Sequence, residues 1–188
     1  MHRIFPSTTK HISSLSLLCS LAIIRTFNSL GLTNIAIKWP NDIIYNDKKI
    51  AGILIESWIN SSGFFVVVIG IGINCKLSPA IRNSIETEVG DLYEITGKLW
   101  DRNQVIAVLL NELFALFHEF ERSGFFPFIQ EWIDYHAYHQ KPVKLTKPDN
   151  SESFGMVTGV NEDGSINLLT ETGIESFVVG EISMRPSC

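Results

Sequence analysis

An α+β fold is predicted, with a mixed, largely antiparallel sheet carrying helices and a small β-barrel at the C-terminal end. Three features of the sequence predict it. Apolar runs of strand character follow one another across short turns between residues 34 and 74. Stretches with helical spacing lie on both sides of that region. From Lys141 onward the texture changes, with short strands and frequent turns. The chain therefore divides into a unit over residues 1–139 and a smaller one over 140–188.

Composition bounds the function. The 188 residues carry a net charge of −5 and are 45% hydrophobic, which is enough apolar material for one catalytic-size core plus a small module. An acidic chain without a basic cluster has no electrostatic footprint for nucleic acid. Cys19, Cys75 and Cys188 form no CxxC pair and read as reduced thiols of a cytoplasmic protein.

Taken in order, the first apolar run follows Lys10 and His11 and has the look of a signal peptide, but it is too short to span a bilayer, which needs about 20 residues. A helix over about residues 13–30 accounts for it better. Leu17, Leu21, Ile24 and Phe27 fall at helical spacing, and Gly31 stands at the end as a stop. Ile35, Ile37 and Trp39 alternate as one side of a half-buried strand, and residues 64–69 form a fully apolar strand running into Gly70-Ile71-Gly72-Ile73-Asn74. A short helix is expected around residues 81–94.

Asp101 and Gln104 suggest a capping box for a longer helix, with Val105, Ile106, Leu109, Leu110, Leu113, Phe117 and Phe120 as its apolar stripe. Gly124 ends it, and Pro127 opens the next helix, over about 128–138. Asp134, His136 and His139 fall short of the four ligands of a structural zinc site, so no metal is assigned to them.

The stretch KWPNDIIYNDKKIAGILIE, Lys38 to Glu56, is the most informative. Pro40 forces an extended conformation on Trp39. Asn41-Asp42 and Asn46-Asp47 read as turns around a strand at 43–45. Lys48 and Lys49 then lead into an apolar strand interrupted at Gly52, where another backbone or a ligand would approach closely. Strict alternation puts Lys49 on the face of Ala51 and Ile53, and Gly52 on the face of Ile50 and Leu54. Lys49 reads as a partly desolvated counter-charge for a carboxylate or phosphate, and Lys48 as a solvated lysine.

The ordered set KWPND, KIAGIL and GIGIN, continuing through KPVKL (141–145) to GEISMR (180–185), resembles the biotin protein ligase family. The resemblance implies a catalytic domain related to class II synthetases and lipoate ligases, followed by an SH3-like barrel. It implies ATP-dependent conversion of biotin to biotinyl-5′-AMP and transfer to a lysine of a biotin carboxyl carrier protein, that of acetyl-CoA carboxylase or a related carboxylase. Biotin, ATP and Mg²⁺ are the implied ligands, and a homodimer is one assembly open to the family.

By that resemblance Lys49 touches the biotin carboxylate and the adenylate phosphate. Asp42 either orients the incoming amine or helps hold Mg²⁺. Asn41 and Asn74 serve the nucleotide, Gly52, Leu54 and Gly70 line the biotin slot, and Arg185 brings charge from the small domain to the nucleotide. Family members also carry a GRGRxG loop ahead of the region matching Met1. The expectation is a family domain that starts partway through, with standalone catalysis weakened by about 10²–10³ for each lost donor. The alternative is a non-catalytic remnant that binds carrier protein or pairs with a separately encoded N-terminal half. A lipoate or octanoyl ligase is a third reading, against which the KWPND and KIAGIL pair speaks.

Overall fold

The computed structural model describes residues 1–5, 12–85, 87–178 and 182–187. Lys10, His11, Gly180, Glu181 and Cys188, all used in the sequence reading, lie outside them. The first sheet takes β1 (His2–Phe5), β2 (Ala36–Lys38), β3 (Asp42–Tyr45), β4 (Lys48–Ile59) and β5 (Phe65–Ile73). Its spatial order is β1-β5-β4-β3-β2, and every neighbour is antiparallel. The expected meander is therefore present over β2 to β5, with β1 added beside β5.

Turn chemistry sets this order. Asn46 and Asp47 both take positive φ, 47° and 63°, the left-handed pair that a two-residue hairpin needs. At the next turn the Asn60 side chain accepts from the backbone N–H groups of Ser62 and Phe64. Trp39-Pro40 is a cis peptide bond between β2 and β3. The Gly70-to-Ile73 segment does not leave the sheet, because β5 stays paired with β4 through Ile73.

A 3-10 turn over Ile12–Ser14 leads into α1 (Leu15–Ser29), close to the expected helix. The span Ile12–Ser29 is long and apolar enough to cross a membrane, yet 72% of it is buried inside the protein. It packs between the inner face of the first sheet and a later helix, which explains its apolarity as that of a core element. The helix expected at 81–94 is two short ones, α2 (Pro79–Ser84) and α3 (Leu92–Thr96). Ser78 caps the first and Asp91 caps the second, so each begins anew.

The long helix α4 (Arg102–Ser123) is capped by Asp101, which accepts from Asn103 N–H. Val105, Leu109, Leu113, Phe117 and Phe120 are buried as expected, while Ile106 and Leu110 point outward. Phe5 fits edge-on between Phe117 and Phe120, at 6.4 Å from each ring. The next helix, α5 (Ile129–Tyr135), is shorter than expected and follows a 3-10 turn at Phe126–Phe128.

The C-terminal unit is a second antiparallel sheet of β6 (Pro142–Thr146), β7 (Glu152–Val160), β8 (Ile166–Thr170), β9 (Gly173–Phe177) and β10 (Ser183–Pro186), in the order β10-β6-β7-β8-β9. Among the described residues β9 and β10 do not pair, so the expected closed barrel is here an open sheet.

A polar seam joins the two sheets. Buried Trp39 donates its Nε1–H to the carbonyl of Gly164, 3.1 Å away. Ser13 Oγ donates to the Asp163 carbonyl at 2.6 Å. The β7–β8 turn presses so closely on the start of α1 that a Cβ on Gly164 would lie 3.0 Å from Ser14 Cα, and φ there is +85°. Arg25 and Glu131 form a two-bond ion pair between α1 and α5, and Trp132 Nε1–H donates to Ser20 Oγ.

Just beyond α5, the His136 ring stacks on Trp132 at 4.7 Å and meets Tyr138 edge-on at 6.1 Å. Neither ring nitrogen has a hydrogen-bond partner among the described residues. Burial, with His139 and Lys141 adding to it, pushes its pKa down to about 3 from an ordinary 6.5. Below pH 6.5 the unfolded chain binds a proton that the folded one refuses, so stability falls as pH drops toward 3. Wild type should lose about 2 kcal/mol more than His136→Phe between pH 7 and pH 5, measured by urea unfolding. Equal losses would show that His136 is not the group responsible.

Candidate active site

The site begins with an irregularity in β4. Asp42 stands opposite Gly52 and Ile43 opposite Ala51, but Ile44 stands opposite Lys49, so Ile50 has no partner on β3. One extra residue reverses the alternation beyond it. Lys49 therefore lies on the face of Gly52 and Asp42, away from α1, and not on the face of Ala51 and Ile53 as strict alternation expects.

Gly52 is what lets Lys49 lie there. A Cβ on Gly52 would fall 2.8 Å from Lys49 Cε, 3.0 Å from its Nζ and 3.6 Å from Asp42 Oδ1. The gap that the sequence assigns to a ligand thus holds the chain's own lysine stem. Its ammonium stands 2.5 Å from Asp42 Oδ1. That contact is an ion pair without hydrogen-bond angles, and Oδ1 is otherwise buried with no donor directed at it.

The Lys49 backbone is gripped on its other edge. Its N–H donates to Glu88 O and its carbonyl accepts from Gly90 N–H, both at 3.0 Å, as a parallel bridge to Val89. Asn74 Nδ2 donates to Lys49 O and Gly90 O, and Asn74 N–H donates to Ile50 O. Arg82 ties this segment down through Val89 O, Asp91 and Glu94. The Asp91 carboxylate, with its side chain only 3% exposed, also accepts from Leu77 and Glu94 N–H. Lys48, expected to be free in solvent, pairs with Glu94 at 2.7 Å, and together with Arg82 it holds the Glu94 carboxyl below its usual range.

Lys49 and Asp42 open into a cleft of about 510 Å³ lined also by Lys38, Asp47, Glu88, Tyr138 and Arg185. Arg185 comes from β10 of the second sheet, so the cleft lies between the two sheets. Cations and carboxylates both face it, an arrangement able to hold an anion beside a reacting amine or a cation.

Of the sequence-predicted site residues, Lys49, Asp42 and Arg185 meet in this cleft, and Gly52 touches the first two. Leu54 and Gly70 face each other across β4 and β5, further along the same sheet face, where Leu54 is 66% exposed. Asn41 and Asn74 work on the backbone. Asn41 Nδ2 donates to Ile53 O, and the Asn41 backbone carbonyl accepts from Ile53 N–H. Both Nδ2 hydrogens of Asn74 are engaged as described above, and Asn74 itself borders a different groove, between β5 and α4.

Lys38 and Tyr138 also line the cleft, although neither is among the residues that the sequence marks as functional. Lys38 was detectable in principle, since a short hairpin at 39–41 brings it opposite Asp42. Tyr138 reaches the cleft through the path of the chain after α5, which has no local signature. Burial, then Asp47, raises the Tyr138 pKa.

Two family models match the chain. One, described as the biotin/lipoate A/B protein ligase family, matches residues 4–74. The other, the biotin protein ligase C terminal domain, matches residues 139–185. The chain is similar to the bifunctional ligase/repressor BirA of Escherichia coli K12, at 32% identity over 171 residues, covering 91% of this chain and 53% of that protein. It thus spans about half the length of that relative. It is 28% identical over 178 residues to the biotin--[acetyl-CoA-carboxylase] ligase of Paracoccus denitrificans, covering 90% of this chain and 72% of the relative.

Among solved structures, the biotin protein ligase of Aquifex aeolicus without ligand superposes with a TM-score of 0.83 at 28% identity, over 99% of this chain and 81% of that one. The same protein in complex with biotin and ATP gives a TM-score of 0.81 at 28% identity, over 99% and 77%.

The geometry around Gly52 has a direct consequence. Gly52→Ala should push the Lys49 stem aside and lengthen the contact of its ammonium with Asp42 Oδ1. Gly72 stands directly opposite, where a Cβ would meet nothing within 4 Å. Gly72→Ala should keep the pair and leave stability within about 0.5 kcal/mol. Crystal structures of both variants read the first effect and thermal unfolding the second. An intact Lys49–Asp42 contact in Gly52→Ala would remove the role given to Gly52.

Proposed function

The chain belongs to the biotin protein ligase family, and on that premise we propose that it activates biotin with ATP to biotinyl-5′-AMP and passes the biotinyl group to a lysine of a biotin carboxyl carrier domain. One observation carries the reading. Lys49, Asp42 and Arg185, drawn from two different sheets, line a single cleft between them.

Both partners in the first step are anions, so they must be held together by cations. Lys49 sits on the open sheet face and answers that need. A biotin carboxylate oxygen attacks the α-phosphorus, the bond from that phosphorus to the β-phosphate bridging oxygen breaks, and pyrophosphate leaves with the electron pair. To meet either anion Lys49 must release Asp42, which leaves the carboxylate available for the second step. There the carrier lysine amine attacks the mixed anhydride, AMP leaves, and the amine proton is lost close to Asp42.

Asp42 also suits Mg²⁺, which commonly takes one or two carboxylates together with substrate phosphates, and its Oδ1 has no directed donor. Bound there, the ion would neutralise phosphate charge. Gly52, Leu54 and Gly70 form an open floor on which a flat ligand can rest. Asn41 and Asn74 support that floor by holding β4, with their oxygens left for the nucleotide. We read residues 1–139 as the catalytic domain, residues 140–188 as an SH3-like module lending Arg185, and the setting as cytoplasmic.

The test is biotin-dependent exchange of pyrophosphate into ATP. Wild type should show exchange, and Lys49→Ala should lower it by about 10²–10³. No exchange from the wild-type chain would sink the catalytic reading. Exchange that survives Lys49→Ala would sink the role of Lys49.

A further inference from the structure

Lys38, Asp42 and Gly52 form one row across β2, β3 and β4, each directly opposite the next. All three share the open face, and the Lys49 stem lies over the last of them. Lys38 faces the same cleft as Lys49 and Arg185. It is half-buried, and among the described residues it has no hydrogen bond or ion pair; Oδ1 of Asp42, the residue opposite it, is paired with Lys49. Burial acts first to lower its pKa, with the Asp42 charge and, more weakly, the Asp47 charge opposing and the Arg185 and Lys49 charges adding to the loss.

A bland account makes Lys38 a neutralising charge for the cleft's carboxylates. Asp47 and Glu88 do line the cleft, but both are exposed, and neither comes within ion-pair distance of Lys38. A half-buried ammonium beside two other cations is unfavourable until an anion arrives. The number of cations says which kind of anion. The Lys49 ammonium rests on Asp42, one strand from Lys38, and Arg185 joins them from the second sheet. These three cations around one cleft match a chain of phosphates better than a single phosphate.

We propose that Lys38, together with Arg185, grips the β- and γ-phosphates of the nucleotide and the pyrophosphate that leaves. The inference rests on the adenylation reading above. As the bond between the α-phosphorus and the β-bridging oxygen breaks, charge builds on the departing pyrophosphate. Lys38 donates an N–H to it and gives up no proton. Lys49 serves the reacting end of the same chain of phosphates.

The test is calorimetric titration of the whole chain with sodium pyrophosphate and, separately, with inorganic phosphate, without biotin. Wild type should bind pyrophosphate more tightly than phosphate. Lys38→Gln keeps most of the stem and should weaken pyrophosphate by about tenfold or more, while Lys38→Arg should stay within about threefold of wild type. Lys98→Ala, whose ammonium stacks 4.3 Å from the Trp100 ring in another part of the surface, should change nothing.

Melting curves confirm that each variant is folded, and a Lys38→Met variant repeats the test if Lys38→Gln is not. Unchanged pyrophosphate affinity in Lys38→Gln, or equal binding of phosphate and pyrophosphate by wild type, overturns the proposal. A parallel titration with biotin separates the two readings. If biotin does not bind while pyrophosphate binding still depends on Lys38, the polyphosphate grip stands and the biotin reading falls.

Discussion

Lys49 is held at its backbone by the 88–90 segment and Asn74, and its side chain is aimed by the unpaired Ile50 next to it. Remove the extra residue and the ammonium would turn inward, onto the face that packs against α1. A buried, unpaired ammonium there would cost several kcal/mol, so the irregularity in the ladder is what makes a charged residue tolerable in this strand. The rest of the site is arranged around that choice of face. Gly52 leaves space for the stem, Asp42 receives the head, and Lys38 continues the row.

The second constraint is the seam between the sheets. The Trp39 indole reaches from the loop before β3 to the carbonyl of Gly164 on the far unit, and Gly164 approaches the start of α1 too closely for a side chain. These contacts fix how β10 stands relative to β2, while the Arg25–Glu131 pair ties α1 to α5 within the first unit. Arg185 reaches the cleft only because that relation is fixed. A surface ion pair by itself contributes little, and the buried tryptophan with its donated hydrogen bond is the stronger link.

The polar residues of the motif divide their work. Asn41 donates to the Ile53 carbonyl, and Asn74 bridges the carbonyls of Lys49 and Gly90. Asp91 does the same for two N–H groups and anchors Arg82. These side chains fasten β4 to the 88–91 segment and so fix the backbone from which the Lys49 side chain projects. A motif read as a set of ligand contacts is, in this fold, half scaffold.

Local periodicity and turn chemistry were enough to read the α+β class, the meander from β2 to β5, α1 and α4, and the change of texture at Lys141. Each rests on neighbours within a few residues. The same reading missed the facing of Lys49, since a bulge depends on the partner strand and leaves no mark in alternation. It merged α2 and α3, whose separation follows from Val89 pairing with Lys49 across the sheet. Ile106 and Leu110 look like core in a helical stripe, and only the position of α4 against α1 shows that they face outward. Residue types able to hold acids and phosphates, and their order along the chain, are legible without any fold. Tertiary structure decided which of them share a cleft, because cross-strand register and the packing of one sheet on the other are set by contacts between residues far apart in the chain.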